Sequence, residues 1–153
     1  MPTEIERRFL VRETDFLESL EGKCIAQGYL NTTPERTVRV RIRENSAWLT
    51  IKSKRQGIAC SEFEYAIPLE DAKNLLHLSE TPPIEKERFS IHYLGSNWEI
   101  DVFKGENSGL VIAEIELASE DQTFKKPEWL GKEISSDTRY YNSMLSKKPF
   151  LRW

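Results

Sequence analysis

Soft metal ligands are almost missing from this chain of 153 residues, which holds two cysteines and two histidines. Cys24 and Cys60 lack the paired spacing of a zinc site and are too few for a disulfide framework, so two reduced thiols are expected. His77 and His92 form no ligand cluster; one falls in a predicted helix and the other at a strand end, both read as surface positions. Long apolar runs are missing too. No stretch approaches the roughly 18 residues of a membrane span, and Met1-Pro2-Thr3 runs straight into charge without an apolar leader, so a cytoplasmic protein with no membrane partner is expected. An excess of one charge sign is also absent. With 22 basic and 25 acidic residues the net charge is −3 and the pI is near 5.6, which excludes a generic basic nucleic-acid binder.

What is present is charge of both signs in alternation. Charged residues make up 31% of the chain, above the roughly 25% of average domains, and the length suits one domain over 1–153. In the opening Thr3-Glu4-Ile5-Glu6-Arg7-Arg8-Phe9-Leu10-Val11, period 2 puts Glu4, Glu6 and Arg8 on one face and Ile5, Arg7, Phe9 and Val11 on the other. The device recurs. Arg39, Arg41 and Arg43 alternate with Val38, Val40 and Ile42; Lys52 and Lys54 follow Leu49 and Ile51; Glu62 and Glu64 flank Phe63. Lys86 and Arg88 share a parity, as do Glu99 and Asp101, and Glu114 and Glu116. Like charges two residues apart repel on one strand face, and a merely solubilising surface gains nothing by segregating them. Concentrated carboxylates beside concentrated guanidiniums point to a site for metal and phosphate.

The coarse element reading is eight strands with hairpin spacing. The first strand leads to a short helix over 13–20, a strand over 24–30, the arginine strand, and hairpins through Glu44-Asn45-Ser46 and Arg55-Gln56-Gly57. One clear helix runs from Leu69 to about Ser79 with an apolar side, and Thr81-Pro82-Pro83 ends it. Strands near 84–94, 97–104 and 110–118 follow, then a C-terminal helix near 138–146 capped by Asp137 and an apolar tail, Phe150-Leu151-Arg152-Trp153, suited to docking on the barrel or on a second subunit of a homodimer. Such spacing predicts an up-and-down antiparallel barrel. Eight strands leave room inside for side chains or one small ligand, so either face could point in. Charge turned inward needs compensation by opposite charge or a bound ion.

The opening EIERRFLV resembles the ExExK signature of the CYTH, or triphosphate tunnel metalloenzyme, family, with Arg8 in place of the motif lysine. RVRIR, LTIK, EFEY, IEKERF, EIDVF, IAEIEL and PEWLGKEISSDTRYYN follow in the family's order. The resemblance implies an eight-stranded antiparallel closed barrel with a few flanking helices and an inward charged face. It implies phosphate contacts for Arg8, Arg39, Arg41, Lys52, Lys86 and Arg88, and for Arg139 on a mobile C-terminal helix that closes over the tunnel mouth. Arg43 and Lys54 extend their rows toward the rim, where a solvated strand end is the equal alternative. Metal association is implied for Glu4, Glu6, Glu114 and Glu116. Glu62, Glu64 and Asp101 share the inward parity as candidates for a second metal, for orienting water, or for pairing with the basic rows. Glu4, Glu6, Arg8, Glu64 and Arg88 form the implied catalytic set. Hard oxygen ligands select Mg²⁺ or Mn²⁺.

The expected activity is metal-dependent hydrolysis of inorganic tripolyphosphate to phosphate and pyrophosphate, with a small-molecule triphosphate as partner and no nucleic acid. An adenylyl cyclase, a thiamine or nucleoside triphosphatase, and a non-catalytic polyphosphate-binding module stand as alternatives. Trp48 and Phe103 are the aromatics read on the inward parity, which leaves little to hold a base.

Overall fold

Residues opposite one another in an antiparallel pair point to the same face, so the charge parity of one strand is handed to its neighbour. The computed structural model describes residues 2–153. Its strands are β1 (Thr3–Val11), β2 (Lys23–Asn31), β3 (Arg36–Arg43), β4 (Ser46–Ser53), β5 (Ala59–Ile67), β6 (Ile84–Tyr93), β7 (Ser96–Phe103), β8 (Val111–Glu116) and β9 (Leu130–Glu133). The sheet runs β5-β4-β3-β2-β6-β7-β8-β1, and β1 pairs back to β5 to close an eight-stranded antiparallel barrel. The short β9 adds to β1 outside the ring.

Parity survives the whole circuit. Glu4 lies opposite Cys60, Glu62 opposite Lys52, Thr50 opposite Arg39, and Arg41 opposite Gln27. Continuing round, Ile25 meets Lys86, Arg88 meets Asp101, Glu99 meets Glu114, and Glu114 meets Arg8. The alternation in the sequence thus becomes one continuous inner face.

The strand order departs from the up-and-down succession that hairpin spacing suggests. Two local meanders, β2 to β5 and β6 to β8, are joined by β2 against β6 and by β1 inserted between β8 and β5. Short turns specify only the pairs they connect. The Leu94–Gly95 turn, with φ of 52° and 82°, suits the right-handed twist of β6 and β7 and fixes Tyr93 opposite Ser96.

The outer face carries the core. Phe9, Phe89, Trp98, Ile100, Ala113, Ile115 and Trp129 pack together, with Trp98 fully buried and in edge contact with Phe9 at 5.9 Å and Trp129 at 5.5 Å. Each such ring contributes on the order of 2 kcal/mol by burial. The expected helix at 13–20 is a single 3-10 turn, Asp15–Ser19, that adds Leu17 and stacks Phe16 on Trp129 at 4.8 Å. On the other side α1 (Leu69–Leu76) presents Leu69, Ala72, Leu75 and Leu76 to Val40, Ala47, Ile42 and Leu49. Gly28 permits this approach, since a Cβ there would fall 2.1 Å from Ser79 Oγ just beyond α1.

The C-terminal segment differs from the expected single helix and does not cover the outer face. A 3-10 turn, Thr138–Tyr140, capped by Asp137, precedes α2 (Asn142–Lys147). Leu145 of α2 packs with Ile84, Phe103 and Ile112, which all have inward parity, so one end of the barrel interior is apolar and stoppered by this segment. The tail folds back, with Phe150 N–H donating to Asn107 Oδ1 at 2.8 Å and Trp153 against Tyr140 and Phe150. No helix among the described residues is long and apolar enough to cross a membrane.

Candidate active site

The inner face divides into two half-walls. Adjacent strands β4, β3 and, past β2, β6 carry Lys52, Arg39, Arg41, Lys86 and Arg88, while adjacent β7, β8, β1 and β5 carry Glu99, Asp101, Glu114, Glu116, Glu4, Glu6, Glu62 and Glu64. Between the basic strands, β2 supplies the neutral Gln27 and Tyr29, both buried. The carboxylates and bases of opposite walls therefore face a common interior, and it is the long-range pairings of β1 with β5 and β8 and of β2 with β6 that complete each wall.

Where the two walls meet, Asp101 of β7 lies opposite Arg88 of β6 and is fully buried and engaged. Its Oδ2 accepts from Lys86 Nζ at 2.7 Å and Arg88 Nη2 at 2.8 Å, and its Oδ1 accepts from Arg88 Nε at 2.7 Å. Burial opposes its ionisation, but Arg88 and Lys86 hold the carboxyl well below the usual range. Of the three roles open to Asp101, the geometry is that of pairing with the basic row: both oxygens accept from it, and the side chain fixes Lys86 and Arg88. Burial, with Arg88 and Arg41 adding to it, still drags Lys86 down to about 7 against the pull of Asp101. Arg41 is lowered to about 9 by burial and by Arg39 and Arg88, and its side chain donates from Nε to Gln27 Oε1 at 2.9 Å. Two further donors, Arg39 Nε and Arg8 Nη2, are buried without an acceptor among the described residues. Such orphaned guanidinium N–H groups suit the oxygens of a polyanion.

Arg8 shows what the arginine gains over the motif lysine. It sits on the acidic side, donating from Nε to Glu114 Oε1 at 3.2 Å and from Nη1 to the Tyr140 carbonyl at 2.8 Å, so the fork ties β1 to β8 and to the C-terminal stopper at once. Arg8 and Arg88 outweigh burial and lower Glu114.

The acidic side is crowded at Glu4 and Glu6. Glu4 Oε1 accepts from Lys52 Nζ at 2.9 Å and Arg55 Nη2 at 2.9 Å, with the Cys60 thiol at 3.8 Å, and Glu6 Oε1 accepts from Arg55 Nη2 at 2.7 Å. Glu4 is lowered to about 2, because Lys52, with help from Glu62 and Arg55, outweighs burial. Glu6 goes the other way, to about 7, through burial and the charges of Glu114 and Glu4. Burial also raises Glu62 and Glu116, the first beside Glu4 and the second near Glu4 and Glu99. The donors are carboxylate oxygens on the adjacent strands β5, β1 and β8, and they carry negative charge that the wall leaves unbalanced, so they fit a hard divalent cation. Among the described residues they form no converged ligand cluster. Lys52 and Arg55 occupy Glu4 and Glu6 instead. Glu64, toward the basic seam, is 42% exposed, accepts from Thr50 Oγ1 at 3.0 Å and lies 3.8 Å from Arg39.

Arg139, expected at the tunnel mouth, lies apart from the walls, and Arg43 and Lys54, for which a solvated strand end is the equal alternative, lie at the rim. Arg139 is exposed, bound to Asp137 at 2.7 Å and stacked over Trp153 at 4.8 Å, and none of its polar contacts reaches a wall residue. Arg43 packs over Trp48 at 4.9 Å, and Lys54 is exposed beyond the end of β4. Conversely, Arg55, Gln27, Tyr29 and Asn142 line or reach the interior without having been expected there. Gln27 Nε2 and Lys86 Nζ both donate to Asn142 Oδ1, at 3.0 and 3.3 Å, which links the basic wall to α2. Arg55 lies outside any strand, so parity carried no signal for it.

A CYTH domain model matches residues 2–149, and the chain belongs to this family. An inorganic triphosphatase of Acetivibrio thermocellus is 44% identical over 151 residues, covering 98% of this chain and 97% of that protein. An inorganic triphosphatase of Nitrosomonas europaea is 38% identical over 149 residues, covering 94% and 97%. Among solved structures, the inorganic triphosphatase NE1496 superposes with a TM-score of 0.68 at 36% identity over 93% of this chain and 96% of that one.

Proposed function

We propose that this protein is a divalent-metal-dependent inorganic triphosphatase that splits tripolyphosphate into phosphate and pyrophosphate within the barrel. The observation that carries this reading is the facing pair of half-walls, one short of anions at Arg41 and Arg39, the other crowded with carboxylates raised by burial and by one another at Glu6, Glu62 and Glu116, with the unpaired Arg8 Nη2 reaching in beside them. A metal–triphosphate complex supplies both deficits together. The names of the two relatives above, which match this chain nearly end to end, support the same reaction.

Arg39, Arg41, Lys52, Lys86 and Arg88 grip the phosphate chain from one side, and Arg8 reaches it from the other. Held in register by Asp101, Lys86 and Arg88 aim fixed donors at the charge that develops as the P–O–P bond breaks. Mg²⁺ or Mn²⁺ held by Glu4, Glu6, Glu114 and Glu116, with Glu62 alongside, would polarise the phosphate oxygens and activate the attacking water. Glu64, half open at the seam, is assigned to orient that water. Water adds to one phosphorus, the bridging oxygen leaves with pyrophosphate, and the surplus proton passes to solvent.

Inorganic substrate is favoured by what the interior lacks. Phe103 is buried with the Lys86 ammonium 5.4 Å from its ring, Trp48 is covered by Arg43, and Tyr29 is buried, so none offers an open stacking surface to a base. A cytoplasmic setting belongs to this reading, since it suits the two free thiols. The test is a panel of tripolyphosphate, ATP, GTP and thiamine triphosphate with Mg²⁺ or Mn²⁺ and every product identified. Higher kcat/KM on tripolyphosphate and no cyclic AMP are expected. Preferential use of ATP, or cyclic AMP among the products, would replace this reading with the nucleotide or cyclase branch.

A further inference from the structure

Arg55 stands in a turn between β4 and β5, yet its guanidinium reaches the most crowded carboxylates of the interior. One nitrogen, Nη2, serves both Glu4 Oε1 at 2.9 Å and Glu6 Oε1 at 2.7 Å, while Nη1 donates to the Ile58 carbonyl at 3.3 Å. The turn is pinned by Gln56 and Ala59, whose backbones exchange hydrogen bonds of 2.8 and 3.2 Å, so the reach is built into the fold. The side chain is largely buried, and the Tyr141 ring lies 5.9 Å from its guanidinium on the C-terminal segment.

We propose that Arg55 is the resident counter-ion of the Glu4–Glu6 pair: it holds both carboxylates in the metal-free enzyme and must yield them before a divalent cation can bind. The inference rests on the assignment of those glutamates to the metal. The geometry supplies two reasons. The same oxygens that a cation needs are occupied by one charged nitrogen of the guanidinium, and among the described residues the acidic half-wall forms no converged ligand cluster. A cation brought to the pair without displacing Arg55 would add like charge to like charge. Because Arg55 is carried by a turn and not by a ladder strand, it can withdraw without breaking the barrel, and the Tyr141 face offers it a seat. Lys52, bonded to Glu4 from its own strand, lacks that freedom. Arg55 is in this view a positioning residue that sets the metal threshold, and it needs no contact with phosphate.

The experiment measures Mn²⁺ binding to the full chain without substrate, by calorimetry and by the loss of the free Mn²⁺ electron-spin signal, for the wild type, Arg55→Gln and Glu4→Gln. Replacing a charge-assisted competitor should tighten Mn²⁺ roughly tenfold in Arg55→Gln, whereas Glu4→Gln should weaken it. A gain in affinity is a result that mere damage to the turn would not produce. Arg55→Lys, which keeps the charge but not the fork, should fall between the wild type and Arg55→Gln, and serves alone should the glutamine variant fail to fold. If wild type and the Arg55 variants bind Mn²⁺ equally, or the variants bind it more weakly, while turnover still requires metal, the counter-ion role is overturned and the triphosphatase reading stands. If no protein binds Mn²⁺ and turnover proceeds without metal, the metal reading itself fails, and this inference with it.

Discussion

On the basic half of the tunnel the compensating carboxylate, Asp101, sits on a ladder strand directly opposite Arg88 and is fully buried; on the acidic half the compensating guanidinium, Arg55, reaches in from a turn. The first arrangement is fixed by backbone ladders on both sides, and the second by one isolated bridge, Gln56 with Ala59, beside the residue itself. On the proposed reading phosphate would be met by donors already locked in place, which lowers the reorganisation needed as charge develops. The acidic side would, on the same reading, exchange one cation for another. The same chemistry of paired charges serves rigidity on one wall and exchange on the other.

The largest effect expected from breaking this division is at Glu4. Glu4→Gln keeps the size of the side chain and removes one carboxylate from the metal wall, so kcat should fall by about 10³-fold or more, while tripolyphosphate still binds the basic wall in calorimetry. Near-normal turnover at normal metal demand would mean that the acidic half serves only to balance the basic one.

Next in size is Asp101→Asn, which leaves Lys86 and Arg88 buried without their carboxylate. Removing one partner of a buried pair costs about 3–5 kcal/mol, to be read as a fall in the urea unfolding midpoint at neutral pH. Added tripolyphosphate should restore part of the loss by supplying the missing negative charge. An unchanged midpoint would show that the two cations are balanced from elsewhere in the wall.

The sequence disclosed the wall but not its assembly. Alternation at Glu4, Glu6 and Arg8, at Arg39 and Arg41, and at Glu114 and Glu116 survives in the structure because antiparallel pairing preserves parity around the ring. The insertion of β1 between β8 and β5 was not legible, since hairpin spacing reports only which consecutive strands meet. The apolar plug of Leu10, Ile84, Phe103 and Ile112 shares the inward parity, so a rule that sorts faces by charge misses that one face can be charged at one end and apolar at the other. Arg55 and Asn142 escaped for a different reason: each enters from outside the eight strands, where period 2 says nothing. For Asp101 parity left three roles open, pairing with the basic rows among them, because it places a carboxylate without telling which cation lies beside it.

The acidic half should also respond to pH. Glu6 is raised from 4.5 to about 7 in the folded protein, so its contribution to stability is full below pH 4.5 and is lost as pH rises toward 7, where the folded state must give up a proton it holds more tightly than the unfolded chain does. The loss is on the order of 3 kcal/mol at most. Metal-free protein should therefore show a smaller fall in melting temperature from pH 5 to pH 7 once Glu6→Gln is made, and Mn²⁺ should flatten the wild-type profile at its upper end. Lys86, lowered to about 7, has the opposite slope above that pH, with stability recovering as pH climbs toward 10.5. An identical profile in Glu6→Gln would remove Glu6 from the list of strained groups.

The smallest effects should come from cations that the fold leaves outside the division. Arg7 follows Glu6 in sequence but has the opposite parity; it lies 3.9 Å from Glu133 of β9 and 5.9 Å from the Phe124 ring, on the outer face. Arg139 is further removed, exposed and closed on Asp137. Exposed or half-exposed pairs contribute little, so Arg7→Ala and Arg139→Ala should each change kcat/KM for tripolyphosphate by no more than about twofold. Arg41→Ala, by contrast, removes an unbalanced cation from the basic wall and should raise KM steeply. The comparison is sharpest when the three are assayed side by side. Equal losses at Arg7 and Arg41 would break the parity on which the inner face rests. A deep loss at Arg139 alone would show instead that the C-terminal segment re-seats on loading and carries its arginine to the phosphate, adding a mobile cation to the wall that is otherwise fixed.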